Sequence, residues 1–311
     1  MEIHQLQYVV EVANQRHFTR AADEISVSQS SLSQQINKLE DELGIKLFNR
    51  TTRSVVPTSA GSEFIIYARK ILAEIETAKQ SMQAHAGLTK GTINIGAITT
   101  LESIGFVPLI TAFHNAYPGL YLNIHQDGSR RLTELLRLSE INVALLTPPV
   151  NEDIDDIYFF PLADDEFVLV TANSHPLAKK GTINLAEAAD ESFIFPSPDQ
   201  SIYNIYFQAC RDAGFIPKIV CQSSHSETSL ALVGVGMGIG FFPYDTLRSS
   251  ALYGLTSVGS LYGLSIVRLA RKIKKHIALA LSKNSPNPPA VKAFCDFVLD
   301  RIQYQATPPA E

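Results

Sequence analysis

The stretch SQSSLSQQINKLEDEL, Ser28 to Leu43, sets Leu32, Ile36, Leu39 and Leu43 at spacings of four, three and four. That spacing predicts one apolar stripe along a helix. Gln29, Ser30, Ser33, Gln34, Asn37 and Lys38 face elsewhere, a surface of amides, hydroxyls and one amine. Side chains of this kind read base edges and phosphates in a major groove, but the same face can simply be hydrated. Ser28 is the natural N-cap, and Gly44 stands where a helix stops. The neighbours of the stretch decide between the two readings.

Upstream, Ile3 to Asn14 carries Leu6, Val9, Val10 and Ala13 on one face, a first helix. His17 to Ala22 reads as a short second helix with Thr19 as its cap, and Ser26-Val27-Ser28 as the turn into the third. Two short helices, a turn and a longer amphipathic helix make a helix-turn-helix whose third helix reads the groove. Gln29, Ser30, Ser33 and Gln34 are then the candidates for base contact and Lys38 for phosphate. Downstream, Gly44 to Pro57 alternates weakly and turns at Thr51-Thr52, a small two-stranded wing. Arg50 and Arg53 on it can reach backbone phosphates or a narrow minor groove. From Thr58 to about His85 the apolar residues Phe64, Ala68, Ile71, Ile75, Ala78 and Met82 keep a heptad seam, which predicts a dimerisation helix.

After a short hinge, Ala86 to Lys90, the pattern changes to alternating strands and helices. Gly91 to Ala97 is a buried strand, Leu101 to Asn115 a helix and Tyr121 to Gln126 a second strand, a βαβ unit that implies a parallel sheet. Ligands in such sheets bind beyond the carboxyl ends of the strands. Thr99 and Thr100 sit at the strand-to-helix junction, where hydroxyls and free amides suit an anion, and where a plain helix cap explains them equally. Further on, Arg131 to Ser139 reads as a helix, Val143 to Leu146 and Phe167 to Thr171 as strands. Asp155-Asp156 and Asp164-Asp165 read as solvated loop charges. Ser201 to Ala213 is a helix, Ile219 to Gln222 a strand, Glu227 to Val235 a helix, Val267 to Leu269 a returning strand and Val291 to Gln303 the last helix.

A chain of 311 residues with 45% hydrophobic content is long enough for two or three domains with real cores. Its longest apolar run, Leu230 to Phe242, is short and broken by four glycines, and no signal sequence opens the chain, so a cytoplasmic protein is expected. The net charge of -5 lies wholly beyond residue 90, because residues 1–90 carry ten basic and ten acidic side chains. The span Leu43 to Ser62 has Lys46, Arg50 and Arg53 without one acid, which makes it the place for DNA. Cys210, Cys221 and Cys295 lack the spacing of a metal site or a disulfide framework. No nucleophile elbow, zinc-protease helix or phosphate loop occurs, and Gly234 to Gly240 lacks dinucleotide-loop spacing. Neither a catalytic residue, a metal site nor a cofactor is expected.

The residues HFTRAA (17–22), VSQSSLSQQI (27–36), Leu39-Glu40, Leu43-Gly44, Leu47-Phe48, Arg50 and TSAG (58–61) together resemble the N-terminal signature of LysR-type transcriptional regulators. Ser30-Ser31 departs from the Pro-Ala of many members. Pro161-Leu162, HPLA (175–178), and GMGIG (236–240) with Pro243 resemble landmarks of that family's effector domain. The resemblance implies an α+β multidomain protein. Residues 1–57 would be a winged helix-turn-helix, 58–88 a linker helix, and the rest a two-lobed domain similar to periplasmic binding proteins. Lobe I would take 91–162 and 268–303, lobe II 163–267. It further implies a homodimer through the linker helix, assembling to a homotetramer on double-stranded promoter DNA, with RNA polymerase as a further partner. A small effector, anionic in our reading, would bind between the lobes. Thr99, Thr100, Ser129 and Thr147 are its expected contacts from lobe I, and Ser201, Tyr203 and His225 from lobe II. Cys210 lies where peroxide-sensing members keep one of two redox cysteines, with Ser201 in place of the other.

Overall fold

The computed structural model describes all residues except 51–54, 85–90, 99–100, 102–103, 149–153, 199, 253–262, 286 and 307–311. Three helices open the chain: α1 (Ile3–Gln15), α2 (Phe18–Glu24) and α3 (Gln29–Leu43). In α1 the buried stripe is Gln5, Leu6, Val9 and Val12, while Val10 and Ala13 are half-buried. The cap of α2 is His17, whose Nδ1 accepts the Thr19 N–H at 3.2 Å, so Thr19 lies inside the helix and not before it. In α3 the Ser28 hydroxyl accepts the Ser31 N–H, and Gly44 ends the helix at φ 68°, a left-handed conformation that glycine adopts without strain. Leu32, Ile36 and Leu39 are fully buried against Val9, Val12, Phe18 and Ala21. Leu43 leaves the stripe at 40% exposed, and Glu40 takes the last buried place.

The wing is the antiparallel pair β1 (Phe48–Arg50) and β2 (Val55–Pro57), with Asn49 opposite Val56. Its tip, with the turn at Thr51-Thr52 and Arg53, lies outside the described residues. The linker helix α4 (Ser59–Ala84) is capped by Thr58, whose Oγ1 accepts the Gly61 N–H at 2.9 Å and donates to the Lys46 carbonyl at 2.8 Å. Along its apolar seam Phe64 is half-buried against the N-terminal core, Ala68 is buried and Ile75 half-buried, whereas Ile71 and Met82 are exposed at 39% and 65%.

In the C-terminal region β3 (Gly91–Ala97), β4 (Leu120–Gln126) and β5 (Val143–Leu146) run parallel, joined by α5 (Phe106–Ala116) and α6 (Ser129–Arg137). Helix α5 starts later than Leu101 because Gly105 takes φ 60°, which a right-handed helix cannot continue through. Helix α6 starts two residues before Arg131 and so carries Ser129 in its first turn. The long strand β6 (Ile157–Ala172) includes Asp164 and Asp165, which are therefore not loop charges. After the strands β7 (Thr182–Ile183) and β8 (Ser192–Phe195) come α7 (Ser201–Asp212), β9 (Lys218–Gln222), α8 (Ser226–Gly234), β10 (Ile239–Pro243), α9 (Tyr244–Leu252), β11 (Leu264–Leu269), β12 (Ile273–Ser282) and α10 (Pro289–Ala306).

One sheet holds β4-β3-β5-β12-β6-β10-β8-β9 in that order. Three buried clusters pack on it. Ile95, Phe113, Leu145, Leu279 and Phe294 belong to the core of the first lobe, Phe167, Phe193, Phe195, Tyr206 and Phe241 to one cluster of the second lobe, and Val168, Val170, Leu230, Val233 and Phe242 to another. Strand β11 stays with the second lobe, paired to β6 and β7, so Val267 to Leu269 is not the return to the first lobe. That return is β12, antiparallel to β6 from Ile273 opposite Phe167 to Ser282 opposite Ile157. The glycine run serves close packing, since a Cβ on Gly238 would meet the Ser192 carbonyl oxygen at 2.5 Å.

Candidate functional site

Two surfaces gather the candidate residues. On the first, α3 presents Gln29, Ser30, Gln34 and Lys38 to solvent, with Ser33 half-buried. The Ser30 and Ser28 hydroxyls are 3.1 Å apart, which ties the start of the polar face to the cap. Arg50 does not extend outward from the wing. Its guanidinium lies over the Phe18 ring at 4.7 Å and donates to Ser33 Oγ at 3.2 Å, Asn37 Oδ1 at 2.7 Å and Glu40 Oε2 at 3.4 Å. Glu40 is the buried anchor of this arrangement, accepting the N–H groups of Leu47 and Phe48 and pairing with Lys46 at 2.9 Å. Burial alone pushes its carboxyl up, but the bonds from Lys46, Leu47 and Phe48 and the charge of Arg50 hold it below the usual glutamate value.

The second surface is a cavity of about 270 Å³ between the lobes. The N-termini of α6, α7 and α8 open on it, and among the described residues their caps Gly128, Gln200 and His225 make no side-chain cap bond. Orphan helix amides in such an arrangement favour negative charge. Of the expected effector contacts, Ser129, Thr147 and His225 line the cavity. Ser129 Oγ accepts the Thr147 N–H at 3.2 Å, and Thr147 Oγ1 is buried with no partner among the described residues. Ser201 opens α7. Tyr203 is turned away, stacked on Phe207 and edge-on to Phe195, and the tyrosine one helical turn later, Tyr206, lines the cavity instead. Thr99 and Thr100 lie outside the described residues.

Tyr206 and Lys275 line the cavity without belonging to any motif. Lys275 follows Arg271, Lys272 and Lys274 in a run that reads as solvated. Strand parity gives the contrary signal, because Lys275 falls in step with Ile273 and Ile277 while Lys274 and His276 alternate with them. On the opposite side of β12 a wider groove holds Lys272, paired to Glu166 at 2.8 Å, and Lys274 and His276, paired to Asp164 at 3.2 and 2.7 Å. Burial pushes the thiols of Cys210 and Cys295 up to about 12, so neither is a thiolate at neutral pH. Among the described residues no three His, Cys, Asp or Glu side chains gather as a metal site, and no helix is long and apolar enough to cross a membrane.

Arg69 joins the two regions. From α4 it pairs with Glu140, just beyond α6, at 2.7 Å and donates to Asn14 Oδ1 on α1 at 2.6 Å.

Residues 3–62 match the model of the bacterial regulatory helix-turn-helix protein, lysR family, and residues 86–303 that of the LysR substrate binding domain. The HTH-type transcriptional regulator ShiR of Corynebacterium glutamicum is 35% identical over 250 residues, covering 79% of this chain and 84% of the relative. Among solved structures, a full-length OxyR variant from Pseudomonas aeruginosa superposes with a TM-score of 0.75 at 26% identity, covering 96% and 94% of the two chains. The effector binding domain of QuiR in complex with shikimate superposes with a TM-score of 0.61 at 28% identity, covering 69% of this chain and 98% of that one.

Proposed function

Since the chain belongs to the LysR family of transcriptional regulators, whose members join a DNA-binding helix-turn-helix to an effector-binding domain, we propose that it controls promoters in response to a small anionic effector bound between its lobes. The observation that carries this reading is the inter-lobe cavity with three uncapped helix N-termini around it. An acid of the size of shikimate, the molecule held by the QuiR domain, is the first candidate.

On the DNA side the proposed base contacts are Gln29, Ser30, Ser33 and Gln34, with Lys38 on phosphate and Arg53 on backbone or minor groove. Arg50 acts there as a brace for Ser33 and Asn37. The exposed half of the α4 seam supports a homodimer, and two such dimers a homotetramer on promoter DNA, with RNA polymerase as a further partner. In this reading residues 1–57 bind DNA and 58–88 link. Lobe I follows from 91, lobe II from 163, and the chain returns to lobe I in β12. The protein works in the cytoplasm, beside its DNA, and is not an enzyme.

The test is a gel shift of the full chain on its own upstream DNA, with and without shikimate and related acids that raise its melting temperature. Sequence-selective binding altered by an acid is expected. Binding that no acid alters, in the absence of any thermal shift, would refute the effector reading.

A further inference from the structure

Residues 246–295 carry eight Lys or Arg and not one Asp or Glu, although the chain beyond residue 90 is acidic in balance. Five of the eight fall in RLARKIKKH (268–276), which spans the end of β11, a turn and the start of β12. Strand parity sends Lys275 to the cavity between the lobes, and Lys274 and His276 to the wider groove behind it, whose volume is about 1150 Å³. Three elements meet at that groove. The turn and the start of β12 bring Arg271, Lys272 and Lys274, and α6 brings Arg130 from lobe I. Helix α7 brings Asn204, Gln208 and Asp212, spaced by four and so aligned in one stripe.

Lys272 pairs with Glu166 at 2.8 Å and Lys274 with Asp164 at 3.2 Å, the two lysine side chains being 65% and 60% exposed. Arg271 has no ion pair among the described residues. Exposed pairs contribute about 0–1 kcal/mol each, so they position the ammonium groups and yield to a dianion that meets several of them together. Asp212, the one carboxylate among the described lining residues, accepts Gln208 Nε2 at 2.7 Å. Adjacent arginine and lysine suit a phosphate, whose oxygens take the arginine fork and a point charge at once. The groove has about four times the volume of the effector cavity, 1150 against 270 Å³, far more than inorganic phosphate fills. Leu185, Ile205, Phe207 and Ile273 offer an apolar wall to a ring, and Asn204 and Gln208 offer amides to its polar groups. We propose that this groove is a second small-molecule site, which takes the phosphate monoester of a ring-bearing metabolite, a nucleotide or a cyclic sugar phosphate. The phosphate lies on Arg271, Lys272 and Lys274, and the ring along α7. Groove and effector cavity share only Thr147 among their described lining residues, so both ligands are held at once.

The experiment is calorimetric titration of the full chain, at constant ionic strength, with AMP and glucose 6-phosphate beside adenosine, glucose and inorganic phosphate. It uses the native protein, the double variant Arg271→Gln with Lys272→Gln, Gln208→Trp, which fills the groove from α7, and Ser226→Trp, which fills the effector cavity. At least one of the two esters is expected to bind the native chain about tenfold or more tightly than inorganic phosphate and than its own neutral counterpart. The double variant and Gln208→Trp each lose about ten- to a hundredfold of that affinity, and Ser226→Trp loses none. Affinity unchanged in the double variant overturns the role of the cations. Should that variant not fold, affinity retained in Gln208→Trp overturns the site by itself. Loss of binding in Ser226→Trp puts the ester in the effector cavity and overturns the groove, with the effector reading left intact. Inorganic phosphate that binds as tightly as both esters, or a native chain that binds neither ester, overturns the ligand class.

Discussion

Arg50 shows how one side chain's reach separates two roles that a sequence pattern cannot tell apart. An arginine on a wing beside a reading helix suits a phosphate, but this one lies on Phe18 and holds Ser33 and Asn37. A phosphate contact contributes about one unit to the salt slope of DNA binding, and a brace contributes none. Arg50→Ala is therefore expected to leave the slope of affinity against salt unchanged and to reduce discrimination between operator and altered operator, read by fluorescence anisotropy across a salt series. Glu40 gives a pH signature. Its carboxyl titrates below the ordinary value of 4.5, so its ionised form stabilises the N-terminal domain fully above that value, and the stabilisation is lost as pH falls through the lower folded value. Glu40→Gln should flatten this acid limb in melting curves of the full chain. Glu40→Ala, which orphans the Leu47 and Phe48 amides, should cost about 3 kcal/mol. Lys275 was hidden for a related reason: a basic run looks solvated until strand parity is applied, and parity requires knowing that β12 is a strand.

Elements were legible wherever caps and periodicity agreed. Helix α3 has both its Ser28 cap and its Gly44 stop where the residues place them, because a hydroxyl cap and a left-handed glycine are local signals. The hinge strands were not. Strand β6 turns from an alternating burial pattern to a continuous buried run as it passes between cores, so neither half carries the period of the whole. Strand β10 hides among glycines, whose absent Cβ atoms are needed where its backbone meets Ser192 and Ile194. The join between wing and linker helix rests on the same device. A Cβ on Gly61 would run into the backbone of Leu47, whose carbonyl also accepts the Thr58 N–H at 2.9 Å. Gly61→Ala is expected to destabilise the N-terminal domain by about 2 kcal/mol and to lower DNA affinity, measured by thermal melting and anisotropy together. Unchanged melting would mean that α4 shifts freely against the wing.

At the scale of the whole molecule, α6 opens with Ser129 in the cavity, and just past its end Glu140 pairs with Arg69, which in turn bonds Asn14 of α1. On the proposed function, an effector that binds two arrangements of the lobes unequally would shift their populations, and α6 would carry the displacement to the linker and the N-terminal domain. Arg69→Ala should leave acid binding to the cleft unchanged while reducing the difference in DNA affinity between acid-bound and acid-free protein, a coupling read from a thermodynamic box. The double exchange Arg69→Glu with Glu140→Arg should restore part of it. The consequences for DNA binding depend on α3 being the reading surface. The most direct measurement is footprinting of the full chain on its own upstream DNA beside the Gln34→Ala and Ser33→Ala variants. Protection of a pseudo-palindromic site by the native chain, with relaxed sequence preference in the variants, is the predicted result; no selective protection, or protection indifferent to both substitutions, would contradict it.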